Sequence, residues 1–423
     1  MPPSHSHSHG PDPDAPPPSP ETLGLRRRAV WLMLLLLVPV GVATIAGLFL
    51  LWPGDEPTRA QQAAAAAAPP GTTYPDARVV SVEPFDCGLD PTAPRQACAN
   101  AVLEVLDGPG AGDFVQVELP PEVVAATVSE GDTLVLTRDG PAEGGALYQF
   151  FDYARDLPII VLAVAFAVVV GVVARLRGLA SLIGLAFAFF VLLQFVLPGL
   201  LAGESPALVS LVGSAAIMFV VLYLAHGFSA RTTTALVGTL FGLTLVAGMG
   251  SIAVSVARLI GLTTEETVTL QRYDPTLDFS GLVLAGIVVA GLGVLNDVTI
   301  TQASALWQLH EVSPDITWRE LYNRGMAVGR DHIASTVYTI VFAYAGAALP
   351  ALLIFELSSQ PLWTTVTSAL AEEVVRTLVG AIALVLAVPV TTAAGAFFAK
   401  AASTAAGAAT DRRMTSLRTR FAR

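Results

Sequence analysis

Charge is scarce in this chain. Asp, Glu, Lys and Arg make up 13% of 423 residues, and Lys400 is the single lysine among 23 basic residues. Soluble domains carry about 25% charged residues, so composition excludes a freely soluble protein. Cysteine is scarcer still, with two in the whole chain, so any disulfide within it has a single possible pairing. No Gly-rich loop of the Walker type occurs, so ATP hydrolysis by this chain alone is not indicated. What the chain has in quantity is apolar side chains: 53% of residues are hydrophobic and the mean hydropathy is +0.64.

Windows of about 20 apolar residues mark membrane spans. They fall near 29–51, 157–175, 179–199, 207–226, 234–258, 281–306, 333–356 and 374–398. The expected fold is an α-helical polytopic membrane protein of about eight transmembrane helices. Arg26, Arg27, Arg28, Arg175, Arg177, Arg231, Arg319, Arg324, Arg330, Lys400 and the C-terminal "RRMTSLRTRFAR" sit at alternate joints of that pattern. The excess of basic residues on cytoplasmic loops then places both termini in the cytoplasm. The first span outlasts the ~7–15 apolar residues of a signal-peptide core and reads as an anchor, although cleavage near "AQQAAAAAAPPG" would leave the later topology unchanged.

The expected domains are a disordered cytoplasmic tail over 1–28, a first transmembrane helix over 29–51 and a linker over 52–76. An extracytoplasmic β domain follows over 77–156, then a seven-helix membrane domain over 157–398 and a basic tail over 399–423. The β domain rests on short alternating runs, "ARVVSVEPF", "CANAVLEVLDG", "DFVQVELP", "DTLVLTRDG" and "GALYQFFDY", each bounded by Gly, Pro or Asp. Five such strands predict a small all-β barrel of the OB kind. Residues 52–156 hold 17 Asp/Glu against 5 Arg. So acidic an exterior disfavours nucleic acid and attracts cations weakly, and it also reads as a plain solvated surface. Cys87 and Cys98 both lie here, where an oxidising exterior makes such a pair a disulfide rather than two reduced thiols. In the N-terminal tail, His5, His7 and His9 form a weak candidate site for a soft divalent metal. The sequence leaves the cofactor unknown.

The stretch "GLGVLNDVTITQASALWQLHE" sets Asn296 and Asp297 well inside an apolar run. A carboxylate there costs ~2.5–3.5 kcal/mol on insertion scales, so such residues usually have a function. At ~100° per residue, Gly286, Ala290, Gly293, Asp297, Thr301, Ser304 and Gln308 fall on one line of the helix, small near the outside and polar near the inside. With the inner edge near residue 306, Asp297 lies ~15 Å below it, and the expectation is burial. On the next span His332, Thr336, Thr339, Ala343 and Gly346 form a matching stripe that begins beside Asp331. Two facing helices of this kind predict a polar seam, and Asn296, Asp297, Thr301, Ser304, Asp331, His332 and Thr336 are the candidate substrate- or ion-binding residues. The competing reading is interhelical hydrogen bonding worth ~0.6 kcal/mol each, with capping sufficient for Asp331. Gly238 and Gly242 read as a helix-packing pair, and Glu372, Glu373 and Arg376 as charges that pair with each other.

With its first helix, exterior β domain and spans containing "HGFSARTTTALVGT", "GLGVLNDVTITQASALWQLHE" and "GRDHIASTVYTIVFAYAGAALP", the chain resembles the YibE/F family of bacterial multi-pass membrane proteins from about residue 77 to 398. The resemblance implies a transporter or permease of the cytoplasmic membrane and names no substrate. A secondary transporter is therefore the leading expectation, with lipid around it and an ion or small molecule as substrate. The alternative is a non-transporting envelope scaffold or signalling protein whose β domain binds a protein partner. An enzyme is not expected, because the GxGD spacing of intramembrane aspartyl proteases is absent around Asp297 and Asp331.

Overall fold

A computed structural model describes residues 20–67, 69, 71–88, 97–125, 128–140, 145–357, 361–368 and 370–421. His5, His7 and His9 lie outside the described residues. The chain divides into two compact units, Pro57–Arg175 and the remainder.

In the first unit, α2 (Arg59–Ala67) precedes strands β1 (Asp76–Asp86), β2 (Ala97–Val105) and β3 (Phe114–Leu119), the short helix α3 (Pro121–Ala125), and strands β4 (Thr133–Asp139) and β5 (Leu147–Tyr153). Each expected alternating run forms a strand. The sheet is antiparallel with order β3-β2-β1-β4-β5, and β3 and β5 also lie beside one another, so it nearly closes. A bulge between Val79 and Ser81 lets the long β1 serve two neighbours: bulges bend and twist a strand. Alternation decides the core. Ala77, Val79, Ala99, Ala101, Leu103, Val117, Leu119, Leu134 and Leu136 point inward and are buried together. Cys87 and Cys98 form a disulfide with Cα atoms 5.7 Å apart, as expected. The stretch expected to be a linker is partly ordered instead. "RAQQAAAAA" is helical because alanine has the highest helix propensity, and Thr73 pairs with Arg138 while the Thr72 hydroxyl meets Asp139 at 2.5 Å.

The second unit is a helical bundle. It contains α1 (Pro20–Leu50), the C-terminal part of α4 (Asp156–Val191), a π-helical turn (Leu192–Val196), α5 (Leu197–Leu201), α6 (Pro206–His226), α7 (Ala230–Val256), α8 (Glu265–Tyr273), α9 (Phe279–Val312), α10 (Trp318–Ala347), α11 (Leu349–Leu357), α12 (Leu362–Thr367) and α13 (Ala371–Phe421). Six helical stretches among the described residues are long and apolar enough to cross a membrane: Trp31–Leu50, Asp156–Leu201, Pro206–His226, Ala230–Val256, Phe279–Val312 and Ala371–Lys400. They mark a membrane protein. Two differences reduce the expected eight. The spans near 157–175 and 179–199 join into one run, interrupted where Arg175 adopts φ 55° and ψ −134°, a left-handed φ that few non-glycine residues take. The span near 333–356 falls across α10 and α11, and α10 carries too many polar residues to qualify.

Helix α9 is central. It packs on α6, α7, α10 and α13, and α7 also packs on α13. Their contact faces form one core around Leu236, Leu243, Val246, Ile287, Val288, Leu295, Val298, Leu384 and Val388.

Candidate functional site

Glycines bring the central helices together. A Cβ on Gly242 would lie 2.5 Å from Leu295, and one on Gly238 would overlap the Thr391 hydroxyl, so the expected packing pair on α7 does pack. Gly325 and Gly395 leave room for Leu306, and Gly329 meets Val388 and Gln302. Backbones this close allow polar side chains to bond across helices.

They do so in a layer that sequence reasoning missed. The Thr239 and Thr299 hydroxyls join α7 to α9 at 2.6 Å, and Thr239 also donates to the Ala235 carbonyl. Gln302 Nε2 donates to the Gly325 carbonyl of α10 and to Thr392 Oγ1 of α13, both at 2.8 Å. Thr391 and Thr392 donate to Ala387 and Val388 one turn back in their own helix. Thr239, Thr299, Gln302, Thr391 and Thr392 are all buried. This layer ties four helices together and leaves its hydroxyls satisfied, so it rigidifies the bundle without offering an open binding group. The signal for it was a face of α9 one half-turn from the one singled out: Leu295, Thr299, Gln302, Leu306 and His310.

The candidate residues of α9 lie on the opposite side. Asp297 and Thr301 are exposed on the surface of the bundle, Ser304 and Asn296 are half-buried, and nothing lies within 4 Å of the Cβ position of Gly293. On α10, Asp331 and Thr339 are exposed while His332 and Thr336 are half-buried. The expectation that Asp297 is buried in a seam between two helices is therefore corrected. In an isolated chain its carboxylate faces outward, because the Leu295/Thr299/Gln302/Leu306 face, with its leucines and its bonded Thr and Gln, is the one that meets α7, α10 and α13. Among the described residues, no hydrogen bond or ion pair joins the candidate residues of α9 to those of α10.

Within each helix the candidates make only local bonds. Ser335 Oγ donates to the Asp331 carbonyl and Thr336 Oγ1 to the His332 carbonyl. Asn296 Oδ1 and His332 Nε2 are buried atoms with no hydrogen-bond partner, which is uncommon for buried polar groups. Asp297 has no hydrogen bond or ion pair among the described residues. It sits close to the middle of α9, ~27 Å from Phe279 and ~22 Å from Val312 at ~1.5 Å per residue. Chemically, an open mid-helix carboxylate can accept a proton or hold a cation.

At the head of the same line of α9, the Arg376 guanidinium comes within 3.5 Å of the Cβ position of Gly286. Arg376 donates to Glu373 at 2.7 Å, as expected of these charges. Glu372 binds elsewhere, accepting from Gly261 N and from the Thr263 hydroxyl. Among the described residues, no group of three or more His, Cys, Asp or Glu is placed to hold a metal ion.

No curated protein and no solved structure matches the chain. A family model does match, that of the YibE/F-like proteins, over residues 162–401. The match takes in the helices that build the polar layer and carry Asp297, and it leaves the β domain outside, which the resemblance read from sequence had included. Since it covers more than half of the chain, this protein belongs to the YibE/F-like family.

Proposed function

We propose that the protein is a secondary transporter or permease of the bacterial cytoplasmic membrane and not an enzyme, with Asp297 as the group that binds the coupling proton, cation or substrate. The observation that carries this reading is the exposed carboxylate at mid-helix with no hydrogen-bond or ion-pair partner among the described residues. Intramembrane carboxylates are expensive to insert, and their common use is in ion and proton pathways. Thr301 and Ser304 extend the polar line toward the basic side of the helix, which we take as cytoplasmic together with both termini. We read the break at Arg175 as dividing two crossings, and the nearly closed sheet as an OB-like barrel on the outer side.

The test is ion or proton flux in proteoliposomes under an imposed pH gradient. Asp297→Asn keeps shape and hydrogen bonding but removes the titratable charge, so its flux should fall to background at equal incorporation. Thr301→Val should keep most of the flux. Wild-type flux from Asp297→Asn would remove the residue on which the reading stands.

One observation favours a second reading, a scaffold that docks an envelope protein through the β domain. Phe114, Leu147 and Phe151 are more than half exposed there, with Tyr74 against Phe151 at 5.0 Å between ring centroids. An intact chain that gives no flux above background but holds a specific envelope partner, lost when residues 57–153 are removed, would support it.

A further inference from the structure

From Leu176 to Val256, which takes in α4 after its break, α6 and α7, the basic residues are Arg177, His226 and Arg231 and the one acid is Glu204. His226 closes α6 and Arg231 opens α7, whereas Glu204 stands before the opposite end of α6. Packing brings Arg177 to the same corner. A Cβ on Gly184 would touch Val221, and one on Gly213 would press on Val196 of the π-helical turn that continues α4, so α4 and α6 run antiparallel. At ~1.5 Å per residue, Arg177 lies ~10 Å beyond Gly184 and His226 ~8 Å beyond Val221, in the same direction. The Thr232 hydroxyl bonds the His226 carbonyl, and the Tyr223 and Thr233 hydroxyls meet at 3.1 Å, which fixes the start of α7 against the end of α6. The charges of both arginines act on His226.

Three cations from three helices thus share one corner, and among the described residues neither arginine makes an ion pair. Arg231 is placed against its own helix. The first turn of α7 carries no acid, and a cation there meets the positive end of the helix dipole. Ser229 already takes the Thr232 N–H, so what the corner offers is side-chain charge.

Two features define the occupant. The charge calls for an anion with several acceptor oxygens, and phosphate matches the guanidinium fork. The border is apolar: Leu176, Leu179 and Leu224 are exposed, and Phe228, 89% exposed, stacks on Tyr223 with ring centroids 4.6 Å apart, in the manner of aromatic side chains at a membrane–water interface. A phospholipid carries phosphate at one end and hydrocarbon at the other. With no acid in these segments at this end, the ammonium of a zwitterionic headgroup finds no partner, and a lipid of net negative charge is preferred.

We propose that the corner of α4, α6 and α7 binds one anionic phospholipid, its phosphate held by Arg177, His226 and Arg231 and its chains lying on the adjoining leucines. The proposal does not depend on the role of Asp297.

Native mass spectrometry of the full chain in detergent, titrated with phosphatidylglycerol or phosphatidylcholine, tests it. One phosphatidylglycerol should bind ~10-fold more tightly than phosphatidylcholine. Arg177→Gln combined with Arg231→Gln should remove the preference, and His226→Gln should reduce it. Arg258→Gln should leave it unchanged, because that arginine is also exposed and without an ion pair among the described residues but lies beyond the opposite end of α7. Unfolding temperatures in lipid-free detergent show which variants are folded, and if the double variant is not, His226→Gln and the wild-type comparison of the two lipids still decide. Equal affinity for the two lipids, or a loss with Arg258→Gln as large as that of the double variant, would overturn the site. Displacement of the lipid by inorganic phosphate would overturn it too, in favour of a free phosphate site.

Discussion

Asp76 shows how single residues in the β domain hold charge at a cost. Burial raises its carboxyl above the usual carboxylate range, and the nearby Asp107 and Asp156 raise it further. Asp76 N donates to Asp107 Oδ1 at 2.8 Å, which keeps that second carboxylate close. The direction of the pH effect follows from linkage. The folded state takes up the proton at a higher pH than the unfolded chain, so the charged form opposes folding at neutral pH. That opposition is relieved as pH falls through the raised value toward the ordinary one. Asp76→Asn should therefore raise the unfolding temperature at neutral pH, and its advantage should shrink as pH drops into the carboxylate range. An advantage that is constant with pH, measured by thermal unfolding of the full chain, would show that charge is not the cause. Asp152 runs the opposite way, because the hydrogen bond from Arg155 lowers it, but its side chain is about half exposed, solvent screens the pair, and its effect on stability is small.

At the scale of helices and strands, the polar layer depends on bare backbone. Gly238→Ala places a methyl group into the Thr391 hydroxyl and within 3.3 Å of Thr299, both buried, so it should destabilise the bundle by ~1–3 kcal/mol, as overpacking does. Gly248→Ala on the same helix meets nothing within 4 Å and should stay within ~0.5 kcal/mol of wild type. Unfolding in detergent compares the two, and equal stabilities would mean that Gly238 is not a contact point. The strands and these glycines were legible in the sequence for the same reason. Alternation such as that of Ala99, Ala101 and Leu103, or small residues four apart at Gly238 and Gly242, are local patterns with a fixed period. The face of α9 was not legible. In a soluble helix polarity separates outside from inside, but in a bilayer both the neighbouring helix and the lipid are apolar. Thr299 and Gln302 therefore lie hidden among leucines, while the line through Asp297 was read as an inner seam and proved to be the outer surface of the single chain.

For the molecule as a whole, the two units are stabilised in different ways. The β unit has a disulfide and a compact apolar interior. The bundle has glycine contacts and hydroxyl bonds around a long central helix. Helix α4 belongs to neither pattern before its break: from Asp156 to Arg177 no residue is buried, and Leu157, Leu162, Val172 and Val173 are each more than two-thirds exposed. Within its own unit these side chains have no protein surface to match, so apolarity and extent are what the segment specifies. The 20 residues from Asp156 to Arg175 rise ~30 Å, about the thickness of bilayer hydrocarbon. Replacing residues 159–173 by an equal run of leucine and alanine should leave folding and flux at wild-type levels, whereas removing four residues from the same run should impair insertion, as membrane fractionation and flux would register. In this segment the sequence acts as a measure of length, free to drift in composition while the membrane thickness it is matched to stays the same.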